Sequence, residues 1–185
     1  GTAILLSSVG IVYASCIAIA QKDFKRLIAY SSIAHVGLIS AGILSANQQG
    51  VQGAVIQMLS HGVNVVGLFL IADILFRHTG TREMDKLGGI RNMNGQFSVL
   101  FLIILLGSVA LPLTNGFIGE FLLLSGVYQY SAYVAAFAGL SVILGAVYML
   151  RGYQKIMLGE RPSAGIEFGS LATSDKVVLI TICAV

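Results

Sequence analysis

The stretch FSVLFLIILLGSVALPLTNGFIGEFLLLSGVYQY, residues 97–130, decides how the fold of this chain is interpreted. It is apolar almost throughout, but Pro112 lies near its middle and Asn115 and Gly116 follow soon after. A straight helix needs only about 20 residues to cross the hydrocarbon layer of a bilayer. The stretch is therefore either two membrane spans or one span with a broken middle.

The composition places the whole chain in a membrane. Of its 185 residues, 56% are hydrophobic and 10% are charged, with a mean hydropathy of +0.88, whereas roughly a quarter of the residues of a soluble domain are charged. We expect the lipid bilayer as the environment and no nucleic-acid partner. Both ends fall within apolar runs, so we expect a piece of a longer protein. Cys16 and Cys183 lie in apolar runs, which favours neither a disulfide nor a metal site.

Apolar runs of membrane-spanning length predict an all-α, polytopic helix bundle of about six spans. We treat the chain as a single unit, 1–185. Besides the broken stretch, taken as 97–131, the expected spans are residues 1–20, 24–45, 52–76, 133–157 and the truncated 175–185.

The placement of basic residues decides between one broken span and two. Lys and Arg in short loops stay on the cytoplasmic side of a membrane. Two spans would divide the eleven basic residues between both sides, with Arg151, Lys155, Arg161 and Lys176 opposite the rest. One discontinuous span puts all eleven on one side and leaves the uncharged connectors ANQQG and YQYSA on the other. We therefore predict one span broken near 112–116, where Pro112 and Asn115 supply the break. Broken helices at mid-membrane are typical of transporter sites.

Neighbouring spans each carry an ionisable group into the membrane: Lys25 and His35, then His61, then Glu120 just past the break. Such residues are costly in lipid, and they usually face a bundle interior or a wet cavity and serve as relays. Lys25 is also interpretable as a positive-inside anchor, and each of the others as a structural hydrogen-bonding or ion-pairing group.

A polar stripe accompanies these groups. Gln57, His61 and Asn64 follow the spacing i, i+4, i+7, which places them on one helical face. Ser31 and His35 repeat the i, i+4 spacing on the preceding helix. An imidazole titrates near neutral pH and is able to accept a proton on one side and release it on the other. The pattern favours a hydrated proton relay.

Four motifs also resemble a known family. QKDFKRLIAYSSIAHVG (21–37), GAVIQMLSHG (53–62), RHTGTREMDKLGG (77–89) and LPLTNGFIGEF (111–121) are similar to successive signatures of the M-subunit (chain 4) family of respiratory complex I, the proton-pumping NADH:quinone oxidoreductase. The resemblance covers almost the whole chain. It implies the antiporter-like fold, with these helices as the ninth to fourteenth of fourteen and the broken one as the twelfth.

The resemblance assigns roles to particular positions. Lys25 and His35 match proton-path residues of the tenth helix, and His61 matches the histidine of the eleventh. Glu120 matches the terminal exchange site on the twelfth helix, where the related L subunits carry lysine. Arg82 matches a loop arginine near the cytoplasmic face, for which we expect a structural or interface role.

The implied function is proton translocation coupled to electron transfer from NADH to quinone. NADH, FMN, iron–sulfur clusters and quinone would belong to other subunits, and no cofactor is expected in this chain. The expected partners are other membrane subunits, especially neighbouring antiporter-like ones, in an inner or cytoplasmic membrane, most simply the bacterial plasma membrane.

Three alternatives remain open at this point. A multisubunit cation/proton antiporter or a membrane-bound hydrogenase would use the same helices. A b-type haem protein would use His35 and His61 as axial ligands. A passive scaffold would need none of the ionisable groups.

Overall fold

The computed structural model describes residues 2–160 and 168–184, and nearly all of these residues are helical. Within those two ranges there is no strand, only one isolated bridge between Asp23 and Glu83. The helices are α1 (Thr2–Ala20), α2 (Phe24–Leu44), α3 (Gln48–Thr79), α4 (Ile90–Met93), α5 (Gly95–Ser108), α6 (Asn115–Tyr130), α7 (Ala132–Met157) and α8 (Thr173–Cys183), with a 3₁₀ turn at Met84–Lys86.

In the described part of the chain, four helices are long and apolar enough to cross a membrane: α1, α2, α3 and α7. A shorter apolar helix, α5, is followed by α6. The all-α membrane class predicted from the sequence is confirmed. Observed helix α3 is longer than the 52–76 expected, because the side chain of Asn47 caps its first turn and Gly80, at φ 70°, ends it.

The predicted interruption lies between α5 and α6, at residues 109–114. Pro112 has no N–H to offer the carbonyl four residues before it, and its ring clashes with that carbonyl. That carbonyl belongs to Ser108, where α5 ends. Ala110 and Leu113 then take left-handed backbone angles, φ 52° and 79°. The helix thus stops earlier than the 112–116 that we expected, because a proline acts on the turn that precedes it.

Close backbone contact joins α3 to α6. Gly53 lies so near α6 that a β-carbon there would be 2.6 Å from the backbone nitrogen of Leu123. Gly119 of α6 faces Gln57 of α3 just as closely. Small residues let membrane helices approach and pack through their backbones. The contact fixes the depth at which polar side chains of α3 meet those of α6.

Hydrogen bonds between loops stabilise the end of the bundle where α2 begins and α3 ends. The Phe24 N–H donates to the carbonyl of Arg82 at 3.0 Å, and the Met84 N–H donates to that of Lys22 at 2.8 Å. Lys155 at the end of α7 forms an ion pair with Asp85, and the hydrogen bond from Lys155 lowers the pKa of the Asp85 carboxyl.

A second ion pair ties α3 to α8 at this end. Arg77 bonds both Asp73 and Asp175 at 2.9 Å. Together, these ties bring basic residues of α3, α7 and the intervening loops to one end of the bundle. Arg161 lies outside the described residues.

Candidate functional site

The centre of the site is a contact between His35 of α2 and Glu120 of α6. The His35 Nε2 lies 3.2 Å from Oε1 of Glu120, and the two side chains are 12% and 7% exposed. Glu120 stands in the second turn of α6, immediately after the break. The break therefore delivers a carboxylate to the same depth as an imidazole on a neighbouring helix.

The hydrogen bonds of His35 fix how many protons this contact holds. Its Nδ1 lies 2.8 Å from the backbone carbonyl of Ser31. A carbonyl oxygen only accepts, so Nδ1 carries a proton. If Nε2 were bare and Glu120 ionised, two acceptors would face each other at 3.2 Å. The contact therefore needs one proton between Nε2 and Oε1, either on the imidazole or on the carboxyl.

The backbone carbonyl of Ser108 also lies within interaction range of the His35 imidazole. It is the carbonyl that Pro112 leaves without a helical partner. The C-terminal end of a helix carries partial negative charge. The broken helix thus contributes to the site from both halves, a carbonyl from α5 and a carboxyl from α6.

His61 of α3 reaches the same site from the other side. Its ring stacks on that of His35, with centroids 4.9 Å apart and planes at 25°. Its Nε2 lies 2.9 Å from the hydroxyl of Ser32. A hydroxyl is able to donate or to accept, so Ser32 is able to bond His61 in either protonation state.

Three polar residues of α3 contact α6 directly. Gln57 Nε2 donates to Glu120 Oε1 at 3.4 Å. Asn64 Nδ2 donates to Oδ1 of Asn115 at 3.0 Å, and the hydroxyl of Ser60 donates to the Asn115 carbonyl at 2.9 Å. All three α3 side chains are buried. Gln57 and Asn64 of the predicted stripe thus lie against the first turns of α6, whereas its third member, His61, faces α2.

Sequence reasoning did not single out Tyr148 of α7. Its hydroxyl donates to Ser31 Oγ at 3.0 Å, and Ser31 is the residue whose carbonyl holds His35. A signal was available, since membrane tyrosines are enriched at the interfaces and Tyr148 lies well inside an apolar helix. Ser32 and Ser60 were also missed, and nothing distinguishes them in sequence from the other serines of these helices.

Two cavities adjoin the site. One of about 10 Å³ is lined by His35, Glu120, Ser141 and Tyr148, among others, and that is close to the room one water molecule needs. A larger one of about 270 Å³ is lined by polar groups that include Asn64 and Asn115. Both cavities have the polar lining that buried water requires.

Lys25 and Arg82 lie elsewhere. Both are exposed, and both line a separate cavity of about 350 Å³ together with Asp73 and Phe76. The Arg82 guanidinium stacks over the Phe76 ring, 4.5 Å from its centroid. Lys25 precedes His35 by ten residues of helix, about 15 Å. The structure therefore joins His35, His61 and Glu120 to one another but not to Lys25.

The histidine pair does not fit axial haem ligation. Axial imidazoles point a ring nitrogen at iron from opposite faces of the macrocycle. These two rings instead stack face to face, and the 4.9 Å between their centroids leaves no room for a macrocycle. Both Nε2 atoms are engaged, by Glu120 and by Ser32. In the two described ranges, no group of three or more His, Cys, Asp or Glu residues has the arrangement to hold a metal ion.

Comparisons with known proteins agree with this architecture. Residues 2–145 match the family described as NADH:quinone oxidoreductase/Mrp antiporter, transmembrane. The chain is 50% identical over 157 residues to NADH-quinone oxidoreductase subunit M of Rickettsia prowazekii, covering 85% of this chain and 32% of that protein. It is 42% identical to the subunit M of Rhodobacter capsulatus, covering 97% and 35%.

A solved structure of respiratory complex I from Thermus thermophilus contains a similar chain. The TM-score is 0.91 at 35% identity, over 100% of this chain and 38% of the other. Our chain spans about a third of the length of the curated relatives it matches. The resemblance recognised in the four motifs is confirmed, and the chain belongs to the NADH:quinone oxidoreductase/Mrp antiporter transmembrane family.

Proposed function

We propose that this chain is part of a proton-translocating membrane subunit of NADH:quinone oxidoreductase, complex I. It would couple electron transfer from NADH to quinone, carried out in other subunits, to proton movement. The names of its relatives and the complex I structure support this assignment. The chain is a multi-pass protein of the bacterial inner membrane, as its apolar helices and its identity to the Rickettsia and Rhodobacter proteins indicate.

The contact between His35 and Glu120 carries this proposal. It holds one proton between two groups inside the membrane, on a broken helix, with His61 stacked against the imidazole. A charge that arrives beside such a pair changes which partner holds the proton. His35, His61 and Glu120 then form the relay, and Ser31, Gln57, Asn64 and Asn115 orient it.

The other parts of the proposal concern what surrounds the relay. We place Lys25 and Arg82 at the basic end of the bundle, where a proton would enter or a neighbouring element would pack. The proposed partners are the other membrane subunits of the complex, above all the antiporter-like ones. NADH, FMN, iron–sulfur clusters and quinone are assigned to those other subunits, and this chain would hold no cofactor.

The test uses the whole complex with the full-length chain, in inverted membrane vesicles. Glu120→Gln removes the titrating group and keeps its shape and its ability to accept from Gln57. We expect the NADH-driven pH gradient to fall by roughly an order of magnitude, since a relay group contributes at least that much, with normal amounts of assembled complex.

Glu83→Gln is the matched control for this experiment. It makes the same chemical change at a carboxylate that is 53% exposed and bonds Lys86 in the loop, and it should leave the gradient unchanged. A wild-type gradient in Glu120→Gln would refute the proposed relay and favour a scaffold.

The family description itself favours a second candidate, a cation/proton antiporter subunit. The same cluster would then exchange protons for sodium or another cation. The two candidates separate in vesicles that carry a preformed pH gradient and receive no NADH. Collapse of that gradient on adding sodium, abolished in Glu120→Gln, would establish the antiporter.

A further inference from the structure

Gln57 stands beside Glu120 with half of its hydrogen-bonding capacity unused. The residue is 3% exposed, and its Nε2 donates to Glu120 Oε1. Among the buried side-chain nitrogen and oxygen atoms of residues 2–160 and 168–184, only Gln57 Oε1 has no hydrogen-bond partner. A buried acceptor without a donor destabilises the folded state. Its presence beside a titratable group indicates a donor that arrives in another state of the site.

The surroundings of Gln57 restrict what that donor is. The backbone of α6 passes directly over the amide, and a β-carbon at Gly119 would lie 2.4 Å from Oε1. This contact leaves no room for a larger group on that side. The terminal torsion of a glutamine is broad and roughly two-fold. A half-turn of the amide exchanges Oε1 and Nε2 with almost no change of shape, and it brings Oε1 to Glu120.

We propose that Gln57 is a positioning residue that serves both protonation states of Glu120, donating to the carboxylate and, after the half-turn, accepting from the carboxylic acid. This inference rests on the proposed function, in which Glu120 gains and loses a proton. In the neutral state the Glu120 hydroxyl supplies the donor that Oε1 lacks in the ionised state, and Nε2 takes the position beside Gly119 that Oε1 has left. Glu120 then keeps a bond to α3 through the whole cycle.

Other groups also act on Glu120, and they come from every helix packed against it. His35 faces it from α2, His61 lies behind the His35 ring on α3, and Tyr148 faces the same small cavity from α7. Helix α5 contributes no titratable side chain, only the carbonyl of Ser108. Gln57 is the neutral member of this set, and it changes role without changing charge.

Two substitutions separate this role from packing. Gln57→Met keeps the length of the side chain and removes both the donor and the acceptor. Both protonation states of Glu120 then lose a bond, but the bond to the charged carboxylate is the stronger one, so the limb of the pH profile of proton pumping that needs ionised Glu120 should move to higher pH. The expected displacement is about half to one pH unit, since one unit corresponds to about 1.4 kcal/mol and the difference between a charged and a neutral hydrogen bond is of that order.

Gln57→Glu gives a different signature. A protonated glutamic acid at position 57 still donates to Glu120, so pumping should remain near the wild-type level at the acid end of the profile. At the alkaline end, two adjacent carboxyls cannot both ionise without strong repulsion, and pumping should be lost there. A role in packing alone would lower activity by the same factor at every pH in Gln57→Met, which adds no titratable group.

The deciding experiment measures the whole complex in inverted vesicles across its working pH range and records NADH-induced infrared difference spectra. In the wild type, a carboxylic-acid band that is absent in Glu120→Gln should change together with a side-chain amide band that is absent in Gln57→Glu. An amide band that stays constant while the acid band changes would overturn the inference. So would a profile of Gln57→Met that is scaled but not displaced. The proposed function fails separately, if Glu120→Gln pumps normally.

Discussion

The imidazole of His61 lies face to face against that of His35, with ring centroids 4.9 Å apart. The N–H bonds and lone pairs of an imidazole lie in the plane of its ring, so a proton cannot cross directly between stacked faces. Two positive charges at this separation repel by about 3 kcal/mol at the dielectric response usual in proteins. The pair therefore also interacts through charge, and protonation of one ring disfavours protonation of the other.

This relationship predicts that the charge of His61 matters and not only its shape. His61→Phe keeps an aromatic ring for His35 to stack on but removes the titrating nitrogens and the bond to Ser32. We expect His61→Phe and His61→Ala to lower NADH-driven proton transfer to a similar degree, by roughly tenfold, with assembly near normal. The measurement is the pH gradient in inverted vesicles, normalised to the amount of assembled complex.

A comparison of His61→Phe with His61→Ala also defines the result that would contradict this prediction. If His61→Phe pumps like the wild type while His61→Ala does not, the ring serves only as packing for His35. The prediction that His61 acts on His35 through its charge would then be wrong.

The sequence predicted which residues share a helical face, and it did not predict which faces meet. Helical spacing placed Gln57, His61 and Asn64 together, and Pro112 located the interruption to within a few residues. That His61 bonds Ser32, and that Tyr148 reaches Ser31 from α7, depends on how each helix is rotated about its axis. Rotation is set by packing, here by glycines that let α3 and α6 approach. Periodicity within one helix does not contain that information.

Tyr148 offers a way to test the support behind His35. Its hydroxyl donates to Ser31 Oγ, which lies 3.5 Å from Nδ1 of His35. Tyr148→Phe removes one neutral hydrogen bond, worth about 1 kcal/mol, and keeps the ring in place. We expect proton transfer to fall several-fold, less than in Glu120→Gln, with unchanged assembly.

The control for Tyr148 is Tyr133→Phe, the same change at a tyrosine of α7 that is exposed. It should have no effect on the gradient. Equal losses in the two variants would show that the effect does not pass through Ser31.

Gly119 lets α6 approach α3 closely enough to bring Glu120 to His35. A β-carbon at this position would lie 2.4 Å from Gln57 Oε1 and 3.0 Å from the Cα and Cβ of Gln57. The amide oxygen is able to turn away, but the Cα belongs to the backbone of α3, so Gly119→Ala must push α6 and its Glu120 off α3. Overpacking of this kind costs about 1–3 kcal/mol. We expect less assembled complex on native gels, and low pumping in what does assemble because the contact between His35 and Glu120 is lengthened.

Gly139→Ala makes the same change on α7, where a β-carbon meets nothing within 4 Å, and it should match the wild type. Normal assembly and pumping in Gly119→Ala would show that the close approach of α3 and α6 is not what brings Glu120 to His35.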